Sequence, residues 1–283
     1  MNIFKTFILM TVLTALLMLV GGAFGGQGGM AIALGFAVVM NLGSYWFSDK
    51  IVLAMYRARE VDKESAPDLY WVVRDLAAKA RLPVPRIYIM DNPTPNAFAT
   101  GRNHNHAAVA VTTGIMQMLT KEELEGVLAH ELSHIRHYDI LIGAVAGTIV
   151  GALSSLSFMA RWALIFGGGS RDDDGEGAGG IILLLLAPLI GMLLQMGISR
   201  QREYAADKGA AQITGKPKAL ADALAKISRG NEVVPMASGP ATAHMFIMNP
   251  LSARGVFNLF STHPPIEKRI ERLMDMARNG VRM

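Results

Sequence analysis

The run His130-Glu131-Leu132-Ser133-His134 holds two imidazoles four residues apart. On an α-helix that spacing stacks them on one face, where both can bind one metal ion. Glu131 lies one residue round, able to reach a water at the metal without ligating it. The chain contains no cysteine, so the site must be completed from His, Asp or Glu. Zn2+, one per chain, suits such a donor set, and a catalytic zinc needs a third protein ligand and an open position. The chemistry this permits is metal-assisted hydrolysis.

The longer zinc template, with Gly and then His further along, is absent: position 137 is His and position 140 is Ile. Glu203 is the candidate third ligand by its depth relative to two apolar runs. His134 precedes one run by about six residues, roughly 9 Å of helix, and Glu203 follows the next by about the same distance. Asp207, one turn beyond Glu203, can hydrogen-bond a ligand imidazole and fix its tautomer. The plainer reading of Glu203 and Asp207 is an exposed acidic pair bonded to Arg200 or Lys208. His137 and Asp139 compete as ligands, although His137 is turned about 60° from the His130–His134 stripe. His104, His106 and His244 sit in loop-like surroundings and read as solvated.

The elements that must hold these residues follow from periodicity. Pro67 opens a helix carrying Leu69, Val72, Val73, Leu76 and Ala80, and Pro83 ends it. Short strands are expected at Arg86 to Met90 and Ala107 to Thr113, with Asn96 to Gly101 between them. Thr120 and Glu123 form a capping box, opening the helix that bears the histidines. Further helices are expected over Arg202 to Ile213 and Lys218 to Ser228, closed by Gly215 and Gly230, with a last one after Pro265. Residues 231–260 show no clear period.

Composition sets the class. Hydrophobic residues make up 51% of the 283 and charged residues only 18%, against about 25% charged in a soluble domain. Apolar runs at Phe7 to Val20, Met30 to Phe47, Ile140 to Ala160 and Ile181 to Ile198 are long enough, or nearly so, to cross a bilayer. The glycine-rich stretch Gly21 to Gly29 reads as the turn of a hairpin between the first two. Lys5, Lys50, Arg57, Arg59, Lys63, Arg136, Arg200, Arg202 and Lys208 flank the runs on one side, which places that side in the cytoplasm. The acidic loop 167–180 faces the other way and reads as a solvated connector. Gly143, Gly147 and Gly151 suit close helix packing within the bundle, and Gln195 an interhelical hydrogen bond. The net charge of +4 lacks the aromatic-interleaved stripe of a nucleic-acid binder.

The expected architecture is mainly α: four transmembrane helices and a cytoplasmic zincin-like α+β domain. The segments are 1–49 (two spans), 50–139 (first cytoplasmic part), 140–199 (membrane hairpin) and 200–283 (second cytoplasmic part). Neither cytoplasmic part looks large enough to stand alone, so the two should pack together.

Four stretches, Val127–Asp139, Asn96–Gly101, Glu203–Asp207 and Ser261–Pro265, together resemble the HtpX family of bacterial membrane metalloproteases over nearly the whole chain. The chain is similar, more distantly, to the CAAX prenyl proteases. The resemblance implies a gluzincin-type fold, zinc on His130, His134 and Glu203, and Glu131 as general base and acid. It implies His263 as a donor to the oxyanion, where the plainer reading is a helix-capping histidine. It also implies that Asn96, Ala97, Phe98 and Ala99 offer a strand edge to substrate, where the plainer reading is sheet scaffolding. The implied role is degradation of misfolded or damaged membrane proteins in the inner membrane, alongside other quality-control proteases. The rival reading is a membrane metal transporter or sensor, although transport sites normally lie near mid-membrane.

Overall fold

The computed structural model describes residues 2–143, 145, 200–233 and 264–280. The third and fourth apolar runs (all but the first residues of the third), Gly147, Gly151, Gln195, the acidic loop 167–180, His244 and His263 lie outside the described residues.

Helix α1 (Asn2–Met55) is two helical arms meeting at Gly25 and Gly26. Gly26 has φ +55° and ψ −139°, a conformation that a side chain would forbid. Asn41 Nδ2 donates to Thr14 Oγ1 at 2.8 Å across the arms, so the glycine-rich stretch is the turn of a hairpin. Among the described residues one helix, Gly25–Phe47, is long and apolar enough to cross a membrane, and Thr6–Leu19 is a shorter apolar helix. Both arms expose large apolar side chains, among them Phe7, Leu19, Ile32 and Val39. Water would penalise that surface and lipid accepts it.

Beyond the hairpin come β1 (Arg59–Val61), α2 (Pro67–Ala80), β2 (Arg86–Met90), β3 (Ala97–Gly101), β4 (Ala107–Thr112), α3 (Thr113–Met118) and α4 (Lys121–Arg136). After the undescribed stretch come α5 (Arg200–Thr214), α6 (Pro217–Val233) and α7 (Ile266–Asn279). The sheet order is β1-β2-β4-β3, with β2 and β4 parallel and the outer pairs antiparallel. Alternation along the strands serves both faces. Ile87, Ala97, Ala99, Val109 and Val111 point into the main core. Tyr88, Met90, Phe98, Ala108 and Ala110 pack instead on Val52 and Leu53, where α1 runs on past its apolar stretch.

Three elements depart from the periodicity reading. β1 is an extra edge strand, β4 stops at Thr112 because Thr113 opens α3, and α6 continues through Gly230 to Val233. Gly230 lies inside that helix, where a side chain would collide with Met118 and Pro95. Gly215, at φ +69°, does close α5. The main core joins residues on both sides of the undescribed stretch, from Leu69 on α2 through Leu128 on α4 to Ile213, Leu220 and Leu273.

Candidate metal centre

Helix α4 starts where its capping box dictates. Thr120 Oγ1 accepts from Glu123 N at 3.3 Å, and Glu123 Oε2 accepts from Thr120 N at 2.8 Å. Two turns on, His130 and Glu131 are buried and His134 half-buried, although this is the stretch a surface helix would expose. Helix α5 is what covers them. A side chain at Gly209 would collide with Ser133 Oγ, so the helices touch almost backbone to backbone between the two histidines. That crossing delivers Glu203 to the same point.

Nε2 of His130 and Nε2 of His134 lie 3.1 Å apart. Glu203 Oε2 is 3.6 Å from the first and Glu203 Oε1 is 3.5 Å from the second. Donors about 2.0–2.1 Å from a shared tetrahedral ion sit about 3.3 Å from one another, so this triangle fits a metal. The far side of each ring supports the same reading. His130 Nδ1 is 3.0 Å from Asp207 Oδ1, and His134 Nδ1 is 3.0 Å from Asp139 Oδ2. Each carboxylate holds the proton on Nδ1 and leaves an Nε2 lone pair aimed at the centre of the triangle.

Arg269 joins the centre from a third helix, outside any spacing in the two ligand segments. This guanidinium on α7 is fully buried. Its Nε donates to Asp207 Oδ2 at 2.9 Å and its Nη2 to Asp207 Oδ1 at 2.7 Å, while Nη1 lies 3.3 Å from Glu203 Oε2. Burial opposes the Asp207 charge, but Arg269 and His130 outweigh it and hold the carboxyl below its ordinary range. Burial likewise pulls His130 down, and the Asp207 and Glu203 carboxylates carry it up to about 9 in the metal-free protein. Arg202 Nη1 stands 3.6 Å from Asp139 Oδ1, on the other imidazole's partner. A signal for Arg269 was present: Ile266, Arg269, Ile270 and Leu273 share one helical stripe, and a charge on an apolar stripe needs a buried partner.

Burial pushes the Glu131 carboxyl up, against the pull of the two imidazoles and a hydrogen bond from the Ala99 amide. Strand β3 therefore lies beside the candidate base as well as at the edge of the sheet. Asn96 precedes the strand, its N–H donating to Thr112 Oγ1 at 2.9 Å and its C=O accepting from Thr112 N at 2.9 Å. Asp139 does not compete as a ligand in this arrangement, since it sits behind His134. His137 caps α4, with Nδ1 3.4 Å from Ser133 Oγ. His106 is exposed, but His104 is half-buried, stacked on Tyr138 at 4.2 Å.

The sequence profile of Peptidase family M48 matches residues 63–277. The chain belongs to peptidase family M48. A Protease HtpX homolog of Syntrophotalea carbinolica is 57% identical over 280 residues, covering 98% of this chain and 99% of that one. Another Protease HtpX homolog, from Burkholderia mallei, is 55% identical over 283 residues, covering 99% of this chain and 98% of that one. The fold is similar to the crystal structure of S. mikatae Ste24p, with a TM-score of 0.54 at 17% identity. That match covers 96% of this chain, which spans 65% of the length of the Ste24p chain. This M48 peptidase is thus a membrane-bound metalloprotease, and nothing among the comparisons favours a transporter or sensor.

Proposed function

We propose that this M48 peptidase is a zinc-dependent endopeptidase of the bacterial inner membrane, its active site on the cytoplasmic side, that degrades misfolded or damaged membrane proteins. The observation that carries the reading is the triangle of His130 Nε2, His134 Nε2 and a Glu203 oxygen, each imidazole backed by its own carboxylate. These three residues hold the metal, and Asp207 orients His130. Zinc is the ion that two imidazoles and one carboxylate suit, and when bound it supplies a Lewis acid that polarises the carbonyl and acidifies water.

The chain's own residues do the rest. Glu131, beside the metal position and raised by burial, accepts the proton of the attacking water and returns it to the leaving amine. The outward backbone groups of β3, preceded by Asn96 and running through Ala97, Phe98 and Ala99, pair with an extended substrate as an added strand. His263 donates to the developing oxyanion. Four spans divide the chain as 1–49, 50–139, 140–199 and 200–283, and the basic flanks set the orientation. Other membrane quality-control proteases would share its substrates.

Glu131→Gln tests the assignment. Proteolysis of an unfolded membrane substrate should fall by at least about 10²-fold, while purified protein still binds one zinc per chain. Loss of zinc from that variant would make Glu131 a ligand and sink the mechanism.

A further inference from the structure

Three independent contacts tie the sheet and α4 beside the metal centre to the end of the apolar stretch of α1. The first follows α1, which has no break after Gly26. Its apolar stretch ends at Phe47, and Val52 and Leu53, packed on Phe98 of β3, come five and six residues later. That is about 8–9 Å of helix. The second follows β3 toward its turn. Arg102 lies three residues past Ala99, about 10 Å of strand, and its guanidinium stacks 4.6 Å over the Trp46 ring. The third follows α4. Leu141, seven residues after His134 and just past the turn at His137 and Tyr138 that ends α4, lines one cavity with Thr6, Leu42 and Tyr45.

Tyr45 and Trp46 sit edge to face at the end of the apolar stretch, followed at once by Asp49 and Lys50. Aromatic rings followed by charges mark a membrane–water boundary. Arg86 Nη2 on β2 donates to Asp49 Oδ2 at 2.6 Å, which ties the end of α1 to the sheet.

The direction of β3 matters as much as its height. Asn96 C=O accepts from Thr112 on β4, so by alternation Phe98 and Thr100 also face β4, while Ala97, Ala99 and Gly101 face the outer edge. Gly101 is at the membrane end of that edge, and Ala99, beside Glu131, is the next outward residue.

We propose that the site takes the juxtamembrane segments of other transmembrane proteins and cuts them within a few residues of the span. A chain leaving the bilayer needs only about three extended residues to climb 10 Å to Ala99, and about three more to fill the edge beyond it. The inference rests on the peptidase reading above and names the substrate segment that the fold is built to reach.

Full-length protein in liposomes is the material for the test. Each designed substrate has one span, an unstructured linker and then a tightly folded protease-resistant domain. Linkers of about 6, 10 and 30 residues bracket the proposed reach. Cleavage of the 10-residue linker at a rate within about threefold of the 30-residue one, at a bond mapped by mass spectrometry to about 3–7 residues from the span, is the expected result. If the 30-residue linker is cut but the 10-residue one is cut at under about a tenth of that rate, the site stands further from the membrane and the inference is overturned. Cuts confined to the distal part of the long linker would overturn it equally. Failure to cut even the 30-residue linker would remove the peptidase reading itself, and the inference with it.

Discussion

At the scale of single residues, the centre is a stack of dependencies: Arg269 holds Asp207, Asp207 holds His130, and His130 faces the metal position. Removing the guanidinium strands a buried carboxylate, which costs about 3–5 kcal/mol where nothing replaces the lost charge. Arg269→Met should therefore lower chemical-denaturation stability by that order with a chelator present. Arg269→Lys keeps the charge but not the two-pronged grip, so it should restore most of the stability yet weaken zinc affinity by about 10–100-fold. Equal zinc affinity in Arg269→Lys and wild type, by competition with a chromophoric chelator, would reduce Arg269 to a purely structural role. The same test separates Glu203 from the residues behind the rings. Glu203→Ala should lose most bound zinc, and Asp207→Asn should retain it about 10–100-fold more weakly. The histidine pair was legible in the sequence because i and i+4 share a face whatever the tertiary context. Arg269 escaped because its partner lies on another helix, and only its place on an apolar stripe betrayed it.

At the scale of elements, α4 was read accurately from its capping box, because Thr120 and Glu123 act within one turn of chain. Glu123 does a second thing that local reading misses: its Oε2 also accepts from Lys226 Nζ on α6 at 2.8 Å. Burial raises its pKa, but Lys226 and the Thr120 amide outweigh burial and hold the carboxyl below its ordinary value. A carboxyl depressed in the folded state adds stability above its unfolded pKa, and that stability is lost as pH falls through the lower folded value. Glu123→Gln preserves the cap geometry and removes the charge. It should cost roughly 0.2–1 kcal/mol at pH 7, discounted because Lys226 is partly exposed, and nothing once wild type is also protonated. A Glu123→Gln deficit that does not shrink as the pH is taken down through the acid limb of the stability curve would mean that the cap geometry, and not the ion pair, was damaged. β1 was missed for the opposite reason. Arg59 and Glu60 are exposed, so a three-residue edge strand leaves no alternation to detect, and only its pairing with β2 makes it a strand. Thr113 falls inside the strand expected from the sequence, whereas Thr112 Oγ1, accepting from Ile115 N at 3.1 Å, caps a helix there.

At the scale of the whole molecule, the sheet is the joint between membrane and chemistry. One face packs on the continuation of α1 and the other carries the core under α4, so the orientation of the hairpin fixes the side of the membrane on which the candidate metal centre lies. The proposed cytoplasmic side rests on charge asymmetry in the sequence, and the absence of cysteine makes it testable with single introduced thiols. Gln27 is exposed at the tip of the hairpin, Lys79 at the end of α2 and Lys268 on α7. If the basic flanks set the topology, Gln27→Cys should react with a membrane-impermeant maleimide from the periplasmic side, with the outer membrane permeabilised and the inner membrane intact. Lys79→Cys and Lys268→Cys should react only after the inner membrane is opened or in inverted vesicles. Each substitution falls on an exposed side chain away from the metal centre, so zinc content and proteolysis should match wild type and certify the fold. Labelling of Lys79→Cys and Lys268→Cys with the inner membrane intact, and of Gln27→Cys only from inside, would put the centre on the outer face. The enzyme would then act on segments that have already crossed the membrane.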